Sequence, residues 1–361
     1  GPRGRIYLMK QMLEGAPVTA ETRLHLDRCL TCRNCETTCP SGVQYGRLID
    51  IGREEAERRA PRPLSEQVLR KALRVGLTTP GMFKTALKAG QAVRGLLPAP
   101  LRDHIPMPVV DRAHTAPAMA GARTMLLLQG CVQPALAPDT NTAATRVLAR
   151  LGITLFAAPE AGCCGAIDQH LAAPEAALVA MRRNIDAWWP HLQSGAEAIV
   201  LTASGCGSLV KEYGHHLRHD PAYAEKAARV SALAKDLSEV LAAEDLSALR
   251  PATPRKVAFH PPCSLQHGQK VRGVIEGLLS RAGFELTPFA ESHLCCGSAG
   301  TYSLLQAELA TTLRDRKLGH IAAAAPDCIA TANIGCQTHL AAAAGVPVVH
   351  WVTLLENAAS Q

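Results

Sequence analysis

The sequence is poor in aromatic side chains, at 4% of its residues. It has no apolar run long enough to cross a bilayer, because Arg, Lys, Pro or Gly interrupts each one before the roughly 20 residues a span needs. The opening Gly1-Pro-Arg-Gly-Arg-Ile-Tyr7 has no apolar core of a secretory signal, so a cytoplasmic chain is expected. No Gly-x-Gly-x-x-Gly follows a strand pattern, which argues against a dinucleotide or flavin site in this chain. No Ser/His/Asp set or carboxylate pair stands out, and no catalytic residue is assigned. The net charge of +7 is a mild excess. It reads as a solvated surface, or as a docking face for an acidic partner or an anionic bilayer. No nucleic-acid module accompanies it, and no nucleic-acid partner is expected.

What the sequence does have is cysteine, 13 in 361 residues. The odd count and the missing export signal argue against a disulfide framework and for metal binding. Four of them form the run Cys29-x2-Cys32-x2-Cys35-x3-Cys39-Pro40, the spacing of a bacterial ferredoxin [4Fe–4S] site. Short spacers wrap the backbone round a cubane, and amide N–H groups then face its sulfides. A zinc site would set its ligands in pairs with a longer spacer. In two-cluster ferredoxins the fourth cysteine of a run serves the other cluster. Cys29, Cys32 and Cys35 would then hold one cluster and Cys39 a second, completed by a run upstream of Gly1. If Gly1 is the true start, all four serve a single cluster.

The chain divides into four stretches. Residues 1–60 carry the dense run between helical patterns. Residues 61–120 hold basic amphipathic segments, Leu64 to Val75 and Phe83 to Ala89, followed by a Pro-rich linker from 101 to 120. These segments read as a helix pair packed on its own domain, with a membrane-surface or partner-docking role as the minority reading. Residues 121–250 and 251–361 repeat one another. Cys131 and Cys163 are 32 positions apart, as are Cys263 and Cys295. Each repeat has an adjacent pair before a glycine, Cys163-Cys164-Gly165 and Cys295-Cys296-Gly297, and a later cysteine, Cys206 or Cys336. Apolar strand patterns alternate with helical ones, including a helix from Tyr302 to Ala325. This predicts two α/β units with parallel sheets behind a helical N-terminal domain, α+β taken as a whole. Ligands of such sheets sit beyond the carboxyl ends of the strands, and the repeated cysteines are expected in loops there. Cys328 lies inside a strand pattern and reads as simply buried.

The paired cysteines before glycine, with partners upstream and downstream, resemble the cysteine-rich CCG domain of heterodisulfide reductase B-type subunits and flavin-linked 2-hydroxy-acid oxidoreductases. Joined to the ferredoxin-type run, the chain resembles the iron–sulfur subunits of glycolate oxidase along essentially its whole length. In that family the match to Gly1–Leu8 directly follows a first ferredoxin run. The resemblance implies an electron relay. A separate FAD-containing subunit would oxidise glycolate to glyoxylate, and electrons would pass to a quinone or other membrane acceptor, with this chain peripheral on the inner face of the plasma membrane. The same modules occur in lactate-utilisation and anaerobic glycerol-3-phosphate dehydrogenase complexes. A catalytic disulfide reductase is a third reading. Against it, the repeats end Cys206-Gly-Ser-Leu209 and Cys336-Gln-Thr-His339, without the terminal Cys-x2-Cys of heterodisulfide reductase. Cys131, Cys163, Cys164, Cys206 and Cys263, Cys295, Cys296, Cys336 would then bind a further iron–sulfur cluster or zinc. His339 reads as packed or solvated in preference to a ligand, and His260 and His267 as donors behind the cysteines.

Overall fold

A computed structural model describes residues 1–96, 98, 102, 105–107, 123–246, 249 and 255–358. The N-terminal unit is helical. Met9 and Met12 are the buried side chains of the helix Pro2–Leu13; Tyr45, Ile49 and Ala56 are among those of Tyr45–Arg59. Gly52 allows the two helices to touch, since a Cβ there would lie 2.3 Å from the Met9 sulfur. Leu26 closes the core from the helix Ala20–Asp27, whose first turn is capped by Thr19 Oγ1 accepting the Thr22 N–H at 3.2 Å. Cys29 is itself part of this core. So small a core gains much from whatever the cysteines hold.

The duplication is realised as two parallel four-stranded sheets of the same strand order. The first is β2-β1-β3-β4, with β1 Arg123–Leu128, β2 Ile153–Phe156, β3 Ile199–Leu201 and β4 Ala234–Asp236. The second is β6-β5-β7-β8, with β5 Lys256–His260, β6 Glu285–Leu286, β7 Cys328–Thr331 and β8 Val348–His350. Leu128 pairs with Leu201 across the first sheet, and His260 with Thr331 across the second. Both faces of each sheet are covered, which is why β1 ends in an unbroken apolar run, Met125–Leu128, and not an alternating one. Met125 and Leu127 face one core, Leu126 and Leu128 another.

The first of those cores is common to both repeats. Val257 and Phe259 of β5 join it, as do Trp351, Val352 and Leu355 of the C-terminal helix Trp351–Ala358. That helix reaches back to the first repeat, where Glu356 pairs with Arg146 at 2.9 Å. His350 Nε2 donates to the Thr202 carbonyl at 2.8 Å, across the same seam. Cys328 is buried in this shared core.

The structure departs from the sequence reading in four places. β4, Ala-Lys-Asp, is too short and too polar to stand out as a strand. The helix expected from Tyr302 to Ala325 is broken at Gln306 into Tyr302–Leu305 and Ala307–Ala323. The amphipathic helices Leu64–Thr78 and Pro80–Val93 pack on each other but also on the first repeat, and neither buries a residue fully. Arg74 of the first reaches Asp168 at 2.6 Å. The fourth departure concerns Cys206 and Cys336, which lie in the first turns of the helices Ser204–Val210 and Ile334–Ala341, not in loops. Most of the linker expected at 101–120 lies outside the described residues. Among the described residues no helix is long and apolar enough to cross a membrane.

Candidate metal centres

The dense run starts where the helix Ala20–Asp27 ends. The buried Arg53 guanidinium fixes its path, donating to the Cys29 carbonyl at 2.6 Å and to Thr31 Oγ1 at 2.9 Å. Thr31 and Arg33, on either side of Cys32, both adopt positive φ, 53° and 56°. Such backbone is costly for non-glycine residues and turns amide N–H groups inward to form an anion-binding nest. The Thr31 N–H accordingly points at Cys29 Sγ at 3.4 Å, and the Tyr45 hydroxyl approaches the same sulfur at 3.8 Å. Cys35 is pushed up to about 11, mainly by burial and then by the charges of Cys32 and Cys29. Cys29, Cys32 and Cys35 are thus brought together. The Cys39 thiol instead faces the backbone N–H groups of Val43, Ser41 and Gly42, which draw its proton affinity down.

In the first repeat Cys131 follows β1, Cys163 and Cys164 follow β2, and Cys206 follows β3. Their thiols are neighbours in the order Cys131, Cys163, Cys164, Cys206, each close enough to shift the proton affinity of the next. Cys163 is drawn down by its neighbours Cys131 and Cys164, helped by the Gly165 N–H at 3.5 Å and by Arg183. Cys131 and Cys164 are pushed up correspondingly. Asn184, fully buried, accepts from the Gly162 N–H at 2.8 Å and donates to the Cys163 carbonyl at 3.0 Å. The Tyr213 hydroxyl holds the Cys164 carbonyl at 2.7 Å.

The second repeat reproduces this order as Cys263, Cys295, Cys296 and Cys336. Cys263 favours the Cys295 thiolate, but Cys296, toward which Cys295 is the donor, together with burial pushes Cys295 up to about 12. The Gly297 N–H lies 3.4 Å from Cys295 Sγ. One local turn therefore recurs in all three sets: a cysteine, then a residue of positive φ two places on whose N–H faces its sulfur. The loop glycines pack on Ala177 in one repeat and Ala310 in the other. Counting from those alanines, Lys317 occupies the place of Asn184. Its buried Nζ donates to the Glu291 carbonyl and lies 5.3 Å from the Phe289 ring centre. Burial lowers its proton affinity, while Cys263, Cys296 and Cys295 favour its charge.

The three histidines named from the sequence part company here. His267 is engaged at both ring nitrogens, by Thr37 Oγ1 at 2.8 Å and the His293 carbonyl at 3.2 Å. His339 meets the Ala310 carbonyl at 3.2 Å. His260, the last residue of β5, is fully buried and has no hydrogen-bond partner at either ring nitrogen. Burial holds its ring neutral, with a pKa of about 3. Its ligating nitrogen and the sulfurs of Cys296 and Cys336 all lie within 4.8 Å of one another.

The three sets converge. Cys32 lies beside Cys263, and this neighbour lowers the Cys32 pKa against the effect of burial. Cysteines of the run (Cys29, Cys32), of the first repeat (Cys131, Cys163, Cys164, Cys206) and of the second (Cys263, Cys295, Cys336) line one cavity of about 1140 Å³. All 13 cysteines are free. Buried thiols packed beside one another, amides aimed at sulfur, and an imidazole without a partner are the donor set of thiophilic metal groups.

The cysteine-rich domain family CCG matches residues 125–211 and 257–341. Over 358 residues the chain is 53% identical to the glycolate oxidase iron–sulfur subunit of Escherichia coli, covering 99% of this chain and 88% of that protein. The chain belongs to the glycolate oxidase iron–sulfur subunit family. A Bacillus subtilis protein named "Probable glycolate oxidase iron-sulfur subunit" is 30% identical across 93% of this chain and 81% of its own length. Lactate utilization protein A of Bacillus licheniformis is more distant, at 27% identity across 63% of this chain and 96% of its own. A crystal structure of a hypothetical protein from Helicobacter pylori shares the fold, with a TM-score of 0.57 at 11% identity, covering 99% of this chain and 66% of that one. In this glycolate oxidase iron–sulfur subunit family member, the sequence reading placed His260 only as a donor behind the cysteines, and the structure sets it beside Cys296 and Cys336. The available signal was its place: the last residue of a first strand, three before the first repeat cysteine, where the other copy has Leu128.

Proposed function

We propose that the chain relays electrons as the iron–sulfur subunit of a glycolate-oxidising complex, taking them from a separate FAD-containing subunit and passing them to a quinone or other membrane acceptor. The juxtaposition of Cys32 with Cys263 carries this reading, because it sets the ferredoxin-type run directly against the second repeat. We assign a [4Fe–4S] cluster to the run Cys29, Cys32, Cys35 and Cys39, with Cys39 the member that stands apart. We assign an iron–sulfur cluster or zinc to each set of repeated cysteines. Iron–sulfur groups held there supply one-electron transfer.

The chain's own part is to hold and tune. Arg53 shapes the loop that presents Cys29 and Cys32. The N–H groups of Thr31, Gly165 and Gly297 stabilise sulfur in its anionic form. Arg183 at one repeat and Lys317 at the other balance negative charge beside the cysteines. The test is anaerobic co-purification with the flavoprotein, followed by EPR after adding glycolate. Glycolate-dependent reduction of the iron–sulfur signals is expected. A colourless chain without signals after dithionite, or reduction by lactate and not by glycolate, would overturn the proposal.

A further inference from the structure

We propose that His260 is a metal ligand in the second repeat, together with Cys296 and Cys336, so that the duplicated centres differ in kind. The first would be all-thiolate and the second mixed imidazole–thiolate. This rests on the reading that the second repeat holds a metal.

Three observations carry it. His260 is completely buried, yet neither ring nitrogen has a hydrogen-bond partner. A buried polar atom left unpaired forfeits the hydrogen bonds it would make to water, so an unpaired ring calls for a ligand. The ring is not directed at random: its nitrogen lies within 4.8 Å of two buried cysteine sulfurs from different elements, the loop after β6 and the helix Ile334–Ala341. Finally, the other copy of the fold fills this place with Leu128, an apolar residue buried beneath its own cysteines. A residue serving only as strand filler has no need of an imidazole.

The chemistry is consistent. Imidazole and thiolate together suit iron of a cluster and zinc alike. A neutral imidazole in place of a thiolate leaves the centre one negative charge poorer, which raises the reduction potential of a cluster. Two centres of the same fold in one chain would thereby stand at different potentials.

The test uses the full chain, purified anaerobically and labelled with 15N-histidine. Pulsed EPR of the reduced protein reads nitrogen coupling to iron, and X-ray absorption at the zinc edge reads a light scatterer at about 2.0–2.1 Å if the metal is zinc. A histidine nitrogen at one of the two metals is expected. That signature should vanish in His260→Leu and in His260→Cys. The cysteine variant should keep its metal, and an iron centre there should shift to lower potential, while the first repeat is unchanged. If His260→Leu does not fold, the labelled wild-type protein decides alone. No histidine nitrogen at either metal, or one that persists in His260→Cys, would overturn the proposal. Cys296→Ser separates the two levels: unchanged iron and zinc content would overturn the metal reading and this inference together. Metal lost in Cys296→Ser, with no nitrogen in the wild type, would overturn the histidine ligand alone.

Discussion

Arg33 grips Glu212 through two parallel hydrogen bonds of 2.6 and 2.7 Å, with the side chains only 12% and 24% exposed. Arg33 sits between Cys32 and Cys35, and Glu212 belongs to the first repeat. On the other side, Thr37 meets His267 of the second repeat at 2.8 Å. The cysteine run is therefore clamped over the seam between the repeats.

Breaking the clamp should loosen the run and not the repeats. Glu212→Gln should weaken docking by about 2–3 kcal/mol, because a largely desolvated guanidinium loses its charge partner. Arg33→Lys should not rescue it, since an ammonium cannot make the two parallel bonds. Hydrogen exchange should quicken in residues 29–39 and stay unchanged in β1 and β5.

Cysteine substitutions should separate by set. Cys35→Ser should remove one ferredoxin-type EPR signal and leave metal bound by the repeats intact. Cys164→Ser should do the converse at the first repeat. Iron and zinc counts on each variant, with EPR after dithionite, provide the measurement.

The seam between the repeats should weaken in acid. Burial lowers the His350 pKa to about 4, against a smaller opposing effect of the Thr202 carbonyl, whereas an unfolded histidine titrates near 6.5. The unfolded chain thus binds a proton that the folded chain refuses. The stability that this group contributes is full above about pH 6.5 and is lost as pH falls toward 4, to a limit of about 3 kcal/mol. Denaturant unfolding of wild type and His350→Gln should show a stability gap that narrows between pH 7 and pH 4.5. A constant gap would refute the assignment.

The loop glycines should differ in tolerance. Both have positive φ, +96° at Gly165 and +93° at Gly297. A Cβ at Gly165 would lie 3.1 Å from the Ala177 carbonyl oxygen, and one at Gly297 only 2.4 Å from that of Ala310. Gly165→Ala should cost about 1–2 kcal/mol for the left-handed backbone. Gly297→Ala should cost about 1–3 kcal/mol more for the clash, read as a lower unfolding midpoint and poorer metal retention.

Much of this was legible in the residues. The spacing of Cys29 to Cys39 and the matched steps of the repeated cysteines depend on local chain length, which sequence records directly. The strands β1, β5 and β7 were legible by a different signal, because parallel strands covered on both faces have apolar centres, Met125–Leu128, Val257–Phe259 and Cys328–Ala330. β4 was not, because a three-residue strand is fixed by pairing with β3 and not by its own side chains. The break at Gln306 also escaped notice, since the residues on both sides favour helix.

The sequence by itself determined which atoms can bind metal and that they come in one run and two equivalent sets, because those are properties of residue type and spacing. Only the tertiary structure decided which sets meet. Docking of the N-terminal unit places Cys32 on Cys263, burial of β5 strips His260 of every ordinary partner, and neither fact is written in the distance along the chain between the residues concerned.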